Sequence, residues 1–273
     1  MINKISYEIM VEQLKTMPKA EIERHLKTLG CPVSYDEIAK RLANTYNDLE
    51  VSDVLFTCYK IDDENSPYQM DFIDEAILEI AKREDFGFEH YGILADSLTE
   101  AQELSDVEAK INESEALFRK LFKLAQKFKQ PSLERMIYTV NDGVDMFALI
   151  VDMLDDMQVL ARNDKAYANR IIKFVDKFLQ VFTKTSPFMK VTLAYEQAQA
   201  YMVMKSKKGE QIFLNLLKTH QDTTDVVLHY GLAYIDDEPK KTLKIFDRYQ
   251  KQLNKESEAY TTIQEIISDL KEN

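Results

Sequence analysis

Glycine and proline are scarce in this chain, and their scarcity limits the folds open to it. Six of each are spread over 273 residues. Tight turns and β-hairpins draw heavily on both residues, so an all-β protein of this length would need many more of them. Leu, Lys, Glu, Ala, Met and Ile are plentiful, and most of these are good helix formers. The sequence therefore predicts an all-α protein.

Apolar residues recur at helical spacing between short polar breaks along the whole chain. Ser34, followed three residues later by Glu37, predicts a helix start, and Gly30 before Pro32 predicts a helix end. Short helices joined by short loops favour a stack of antiparallel helix pairs over a four-helix bundle. The predicted helices span residues 5–16, 18–29, 35–48, 51–60, 68–83, 88–103, 105–129, 131–140, 144–160, 163–184, 188–205, 208–219, 223–236, 239–253 and 256–271.

Two polar breaks divide the predicted helices into three groups. Residues 62–67 are rich in Asp, Glu, Asn, Ser and Pro, and residues 141–143 read Asn-Asp-Gly. Both compositions are typical of turns. We therefore expect an N-terminal helical region at 1–61, a second helical region at 62–141 and helical repeats at 142–273.

Small and aromatic residues recur at a spacing of 33 near the C-terminus. A small residue in one helix allows a second helix to approach closely, and an aromatic residue nearby can pack across the pair. A small residue in the second helix, followed four positions later by phenylalanine, would face back. The aligned pairs are Ala198 with Gly231, Ala200 with Ala233, Tyr201 with Tyr234, Gly209 with Thr242, Ile212 with Ile245, and Phe213 with Phe246.

This pattern resembles the tetratricopeptide repeat over residues 188–253, and Gly231, Tyr234, Thr242 and Phe246 match it best. Three features depart from that family. The chain has no tryptophan, the spacing is one residue shorter than 34, and the proline that ends each repeat is missing. The resemblance implies a right-handed superhelix, or another α-solenoid, of stacked antiparallel helix pairs.

Such superhelices present a concave groove that takes an extended peptide or a partner helix. The resemblance therefore implies a protein- or peptide-binding scaffold that has no catalytic activity. The first helix of each repeat would line the groove. The residues that this places at the peptide- or partner-binding surface are Tyr195, Gln199, Met202, Asp225, His229 and Leu232.

Charge and cysteine content narrow the partners further. The net charge is −12, which disfavours binding to nucleic acid, and residues 61–161 hold 23 acidic against 9 basic side chains. Cys31 and Cys58 match no zinc pattern, and no apolar run approaches the length of a membrane span. We expect a cytoplasmic protein with a protein or peptide partner and no membrane partner. The sequence leaves a homo-oligomer open.

Two alternative functions remain at this point. No phosphate-binding loop, dinucleotide motif or nucleophile elbow occurs, so we expect no cofactor and no enzyme. His220, Asp225 and His229 nevertheless form part of the densest His/Asp cluster, and a metal-dependent enzyme would use them.

The second alternative is a peptide-responsive regulator. The segment Ser34–Leu42 resembles the second helix of a helix-turn-helix domain, which peptide-sensing regulators of Gram-positive bacteria join to tetratricopeptide-like repeats. The segment lacks the glycine of the turn, and its surroundings are not basic. Any such domain here would be degenerate.

Overall fold

The computed structural model describes residues 6–59, 71–140, 144–220 and 223–272. Within these ranges the regular secondary structure is entirely helical, which confirms the predicted all-α fold. Contacts within the chain divide it into two compact units, residues 1–149 and 150–273. The breaks at 62–67 and 141–143 lie outside the described residues, so the three predicted regions stay a prediction. No helix in the described ranges combines the length and apolar character needed to span a membrane.

The first unit packs its early helices around one hydrophobic core and pairs α6 with α7. Its helices are α1 (Tyr7–Thr16), α2 (Lys19–Thr28), α3 (Tyr35–Leu42), α4 (Asp48–Cys58), α5 (Phe72–Arg83), α6 (Tyr91–Gln102), α7 (Val107–Lys127) and α8 (Leu133–Val140).

Helix boundaries in the first unit follow local capping. Gly30 has a φ of +90° and ends α2, as predicted. The Ser34 hydroxyl accepts a hydrogen bond from the Glu37 backbone N–H at 3.2 Å and starts α3. The prediction of one helix over residues 35–48 is wrong, because α3 ends at Leu42. The Asn47 side chain accepts a hydrogen bond from the Glu50 N–H at 3.3 Å and starts α4 earlier than expected.

The second unit begins inside α9, which crosses the boundary between the units. Its helices are α9 (Met146–Ala161), α10 (Lys165–Val181), α11 (Pro187–Val203), α12 (Lys207–Thr219), α13 (Thr224–Leu232), α14 (Pro239–Tyr249) and α15 (Glu258–Glu272), with a 3-10 turn at Gln250–Gln252. Consecutive helices from α10 to α15 pack against each other. In addition, α11 contacts α13 and α13 contacts α15, so these odd-numbered helices lie side by side.

Two close approaches between helices join the pairs α11–α12 and α13–α14. A Cβ atom added at Gly209 would lie 2.5 Å from the Ala198 carbonyl oxygen, so α12 touches the backbone of α11 there. In the next pair, the Thr242 hydroxyl donates a hydrogen bond to the Gly231 carbonyl oxygen at 2.9 Å. Thr242 aligns with Gly209 in the sequence repeat, and Gly231 aligns with Ala198. The same two positions of the repeat therefore make the backbone contact in both pairs.

A second contact recurs at the same spacing. The Lys208 ammonium lies 5.4 Å from the centre of the Tyr201 ring, and the Lys241 ammonium lies 3.8 Å from that of Tyr234. Each is a cation–π contact, and Tyr201 lies on α11 whereas Tyr234 lies in the turn after α13. Sequence reasoning aligned the tyrosines and overlooked the lysines.

We expect Gly231→Ala to destabilise the second unit by about 1–3 kcal/mol, because the new methyl group would overlap the Phe246 ring. The overlap therefore costs more than the roughly 1 kcal/mol that a helix gains when alanine replaces glycine. Urea unfolding measures the loss, and Phe246→Leu in the same chain should recover part of it. Gly209→Ala is the matched control, since its methyl group would overlap the Ala198 carbonyl oxygen as well as the Met202 side chain, and Phe246→Leu should recover nothing there. Strictly additive effects of Gly231→Ala and Phe246→Leu would contradict the proposed clash.

Candidate functional site

Three of the six residues predicted for the binding surface meet between α11 and α13. The rings of Tyr195 and His229 are stacked, with their centroids 3.8 Å apart and their planes 11° apart. The Gln199 amide nitrogen lies 2.9 Å from His229 Nδ1 and 3.4 Å from the His229 carbonyl oxygen. Tyr195 and Gln199 are one helical turn apart on α11 and so share one face of that helix. Packing of α13 beside α11 brings His229 to them.

These hydrogen bonds define the protonation state of His229. A carbonyl oxygen can only accept, so the Gln199 group beside it is the NH₂ donor. The same NH₂ therefore donates to Nδ1, which carries no proton, and the imidazole proton is on Nε2. Burial lowers the pKa of His229 to about 4, so the ring is neutral at pH 7. No described residue accepts a hydrogen bond from Nε2, which leaves one donor for a ligand.

The other three predicted residues do not join this group. Asp225 is exposed in the first turn of α13. Met202 lies against Gly209 and lines a cavity of about 530 Å³ together with Tyr234 and Lys241. Leu232 is half-buried at the last residue of α13.

Sequence reasoning missed Glu196, which is only 1% exposed on α11. The Gln158 amide nitrogen, from α9, donates to the Glu196 carboxylate at 3.1 Å and to the Glu196 carbonyl oxygen at 2.8 Å. Burial, and then the negative charge of Asp155, raises the pKa of Glu196 to about 8. The carboxyl group is therefore mostly protonated at pH 7.

The link from Gln158 to Glu196 repeats the link from Gln199 to His229. In both, one glutamine amide from an odd-numbered helix donates to the side chain and to the carbonyl oxygen of a residue on the next odd-numbered helix. Glu196 and His229 also occupy the same position of the sequence repeat. The sequence alignment could therefore have identified Glu196, because this residue aligns with His229 and directly follows Tyr195.

In addition to burial, acidic side chains from three helices raise the pKa of Tyr195. Burial raises the pKa of its hydroxyl to about 12, the Thr192 hydrogen bond opposes this, and Glu196, Asp225 and Asp155 add to it. Burial and the neighbouring carboxylates Asp152 and Asp156 also raise the pKa of Asp155. The site is thus an aromatic pair set in an acidic surface.

The part of the chain that the structure describes gives no support to the alternative of a metal-dependent enzyme. No three His, Cys, Asp or Glu side chains there are placed to hold a metal ion. His220 follows the last residue of α12, and Asp225 and His229 lie on α13. The three residues therefore do not form a metal site.

The first unit holds two larger cavities that no predicted site residue lines. One, of about 1060 Å³, lies beside α5, α6 and α7, where Lys120 pairs with Glu89 at 2.6 Å. The other, of about 980 Å³, lies beside α3 and α4, where Arg41 pairs with Glu37 at 3.3 Å. Side chains of both charges line each cavity, so neither selects an anion or a cation.

Comparison with known proteins does not identify a family for this chain. No protein family, characterised protein or solved structure matches the chain. The function has to be inferred from the contacts themselves.

Replacing Glu196 with glutamine should change how stability depends on pH. The pKa of Glu196 is higher in the folded chain than in the unfolded chain, so unfolding releases its proton between about pH 4.5 and pH 8. The free energy of unfolding of the wild type therefore falls as the pH rises through that window, and Glu196→Gln removes this loss. We expect the variant to gain on the order of 3 kcal/mol over wild type between pH 5 and pH 9.

Urea unfolding at acidic, neutral and alkaline pH measures this gain. Glu256→Gln, on an exposed residue of the second unit, is the matched control and should leave the pH profile unchanged. A constant difference between Glu196→Gln and wild type at every pH would show that the Glu196 pKa is not raised.

Proposed function

We propose that this chain is a protein- or peptide-binding scaffold of tetratricopeptide-like helical repeats, without catalytic activity of its own. The pairs α11–α12 and α13–α14 are two repeats. The observation that carries this proposal is the recurrence of the same interhelix contacts at the period of the sequence repeat. Ala198 with Gly209, and Gly231 with Thr242, occupy equivalent places between their helices.

The repeats extend to α9–α10 on the same argument. Gln158 links α9 to α11 in the way that Gln199 links α11 to α13. The helices α9, α11, α13 and α15 would then form the inner row of a right-handed superhelix. That row lines the groove in which helical repeats bind extended peptides or partner helices.

The binding surface in this proposal is the inner row around Tyr195, Gln199 and His229, flanked by Met202, Asp225 and Leu232. The ring stack and the glutamine hydrogen bonds fix the central side chains before a ligand arrives, which reduces the entropy cost of binding. The Nε2–H of His229 can donate to a main-chain carbonyl oxygen of a peptide.

The same groups are poorly suited to acid–base catalysis. A general acid or base works best when its pKa lies near the working pH. The pKa of His229 is about 4 and that of Tyr195 is about 12. Both groups hold their protonation state through neutral pH, which favours recognition over proton transfer.

The regulator alternative gains no support from α3. Asp36 and Glu37 accompany Lys40 and Arg41 on that helix, so its charges balance and do not favour phosphate binding. Free thiols at the buried Cys31 and the exposed Cys58 suit a reducing cytoplasm.

Site-specific photocrosslinking in cells tests the surface. A photoreactive amino acid in place of Asp225 or Leu232 should capture a partner protein, because both side chains would border the groove. The same amino acid in place of the exposed Lys244 or Asp247, on α14, is the matched control and should not capture it. Equal capture at all four positions, or capture on α14 alone, would contradict the site.

The double variant Tyr195→Ala, Gln199→Ala tests the centre of the same surface. We expect at least tenfold weaker binding of the captured partner, together with about 1–2 kcal/mol lower stability, since the stack on His229 is lost. Calorimetry measures binding, and circular dichroism confirms that the variant is folded. Unchanged affinity in the folded variant would sink the assignment.

A further inference from the structure

The helices α9, α11 and α13 carry an exposed surface that extends beyond the central stack. Asp152, Asp155 and Val159 follow one another at spacings of three and four on α9, so they share one side of that helix. Phe188 precedes Tyr195 by two helical turns on α11. We call this surface the acidic face, and its members are Asp152, Asp155, Val159, Phe188, Tyr195 and Asp225.

Helix contacts hold the parts of the acidic face together within the second unit. The bond from Gln158 to Glu196 ties α9 to α11, and the stack of Tyr195 on His229 ties α11 to α13. Asp155 on α9 and Asp225 on α13 both act electrostatically on Tyr195, which lies on α11. The hydrogen bond and the ring stack therefore place α9, α11 and α13 next to one another within the second unit.

Apolar side chains are exposed on this face. Phe188 is 78% exposed and Val159 is 59% exposed. They are the large hydrophobic residues that stay exposed in the described part of the second unit, and both are on the acidic face. Exposed apolar residues rimmed by polar groups mark sites of protein interaction.

The charge of the face is of one sign. The helix α9 contains three aspartates and no lysine or arginine. Arg162, just after α9, pairs with Asp236 at 3.2 Å. In the described ranges Asp155 forms no ion pair, and the aspartates Asp152 and Asp156 lie near it on the same helix.

We propose that the acidic face binds a basic segment of a partner protein, with lysine or arginine side chains against Asp152 and Asp155 and an apolar residue against Phe188. This inference rests on the proposed function and adds the chemistry of the partner. Charge complementarity selects the occupant, because carboxylates on the face repel acidic peptides and phosphate backbones. Phe188 and Val159 add an apolar contact that a simple polycation would not fill.

Fluorescence anisotropy with the full chain tests the inference. The probe is a short labelled peptide of lysine, leucine and alanine, and the comparison probe has glutamate at every lysine position. We expect the lysine probe to bind with an affinity that falls as salt is added, and the glutamate probe to bind at least tenfold more weakly. Binding of both probes with equal affinity would overturn the inference.

Variants of the chain separate the acidic face from the overall charge. The double variant Asp152→Asn, Asp155→Asn should weaken binding of the lysine probe about fivefold, as two exposed ion pairs are lost. The variant Phe188→Ser should weaken it by a similar factor, since that ring lies in solvent and is not needed for folding. The matched control Asp247→Asn, Glu256→Gln removes the same charge from exposed residues away from the face. Equal weakening in the matched control would overturn the inference, because attraction would then come from net charge alone.

The outcomes also separate this inference from the proposed function. If the glutamate probe binds better and the Tyr195→Ala, Gln199→Ala variant abolishes that binding, the groove stands and the basic partner is wrong. If neither probe binds and photocrosslinking captures nothing, both the groove and the basic partner are wrong.

Discussion

The second unit depends on two places where one helix touches the backbone of its neighbour. At Gly209 any side chain would meet the Ala198 carbonyl oxygen, and at Thr242 the hydroxyl satisfies the Gly231 carbonyl oxygen. Close approach at these points fixes how α12 lies on α11 and how α14 lies on α13. Because α13 also packs on α11 and α12, its position on α11 is fixed as well, and His229 falls under Tyr195.

Two polar side chains between the odd-numbered helices of the second unit follow one rule. Glu196 and His229 hold equivalent positions in the repeat, and each receives two hydrogen bonds from a glutamine of the preceding odd-numbered helix. Both side chains are mostly uncharged at neutral pH, because burial raises the pKa of the acid and lowers that of the imidazole. Neutral, hydrogen-bonded groups can lie between packed helices without the cost of an isolated buried charge.

The sequence predicted the helices well and their ends less well. Periodicity identifies a helix because its buried face repeats over many residues, whereas an end depends on one or two. Lys129 and Lys205 end α7 and α11 with φ of 52° and 55°, where glycine is the usual signal, so no glycine marked those boundaries. Asn47 could have been identified as a cap from its residue type, but the prediction extended the preceding helix to residue 48.

The candidate site was predicted in part, for a physical reason. Tyr195, Gln199 and His229 came from the resemblance, and helix packing brings them together. Glu196 was missed because a glutamate is expected to face solvent, and its burial depends on Gln158 from a different helix. The sequence period also fails before α11. Gln158 and Gln199 make equivalent hydrogen bonds but lie further apart in sequence than one repeat, since the α9–α10 pair is longer.

If the acidic face binds a basic segment, its negative charge serves to recognise that partner. Asp152, Asp155 and Asp156 lie within two turns of one helix, and their mutual repulsion raises the pKa of Asp155 in addition to the effect of burial. That repulsion opposes folding, and α9 itself contains no lysine or arginine. A lysine or arginine of a partner would neutralise this repulsion on binding. Relief of the repulsion would then favour a basic segment over an acidic one. The same carboxylates keep Phe188 and Val159 hydrated and limit their association with other apolar surfaces until that partner arrives.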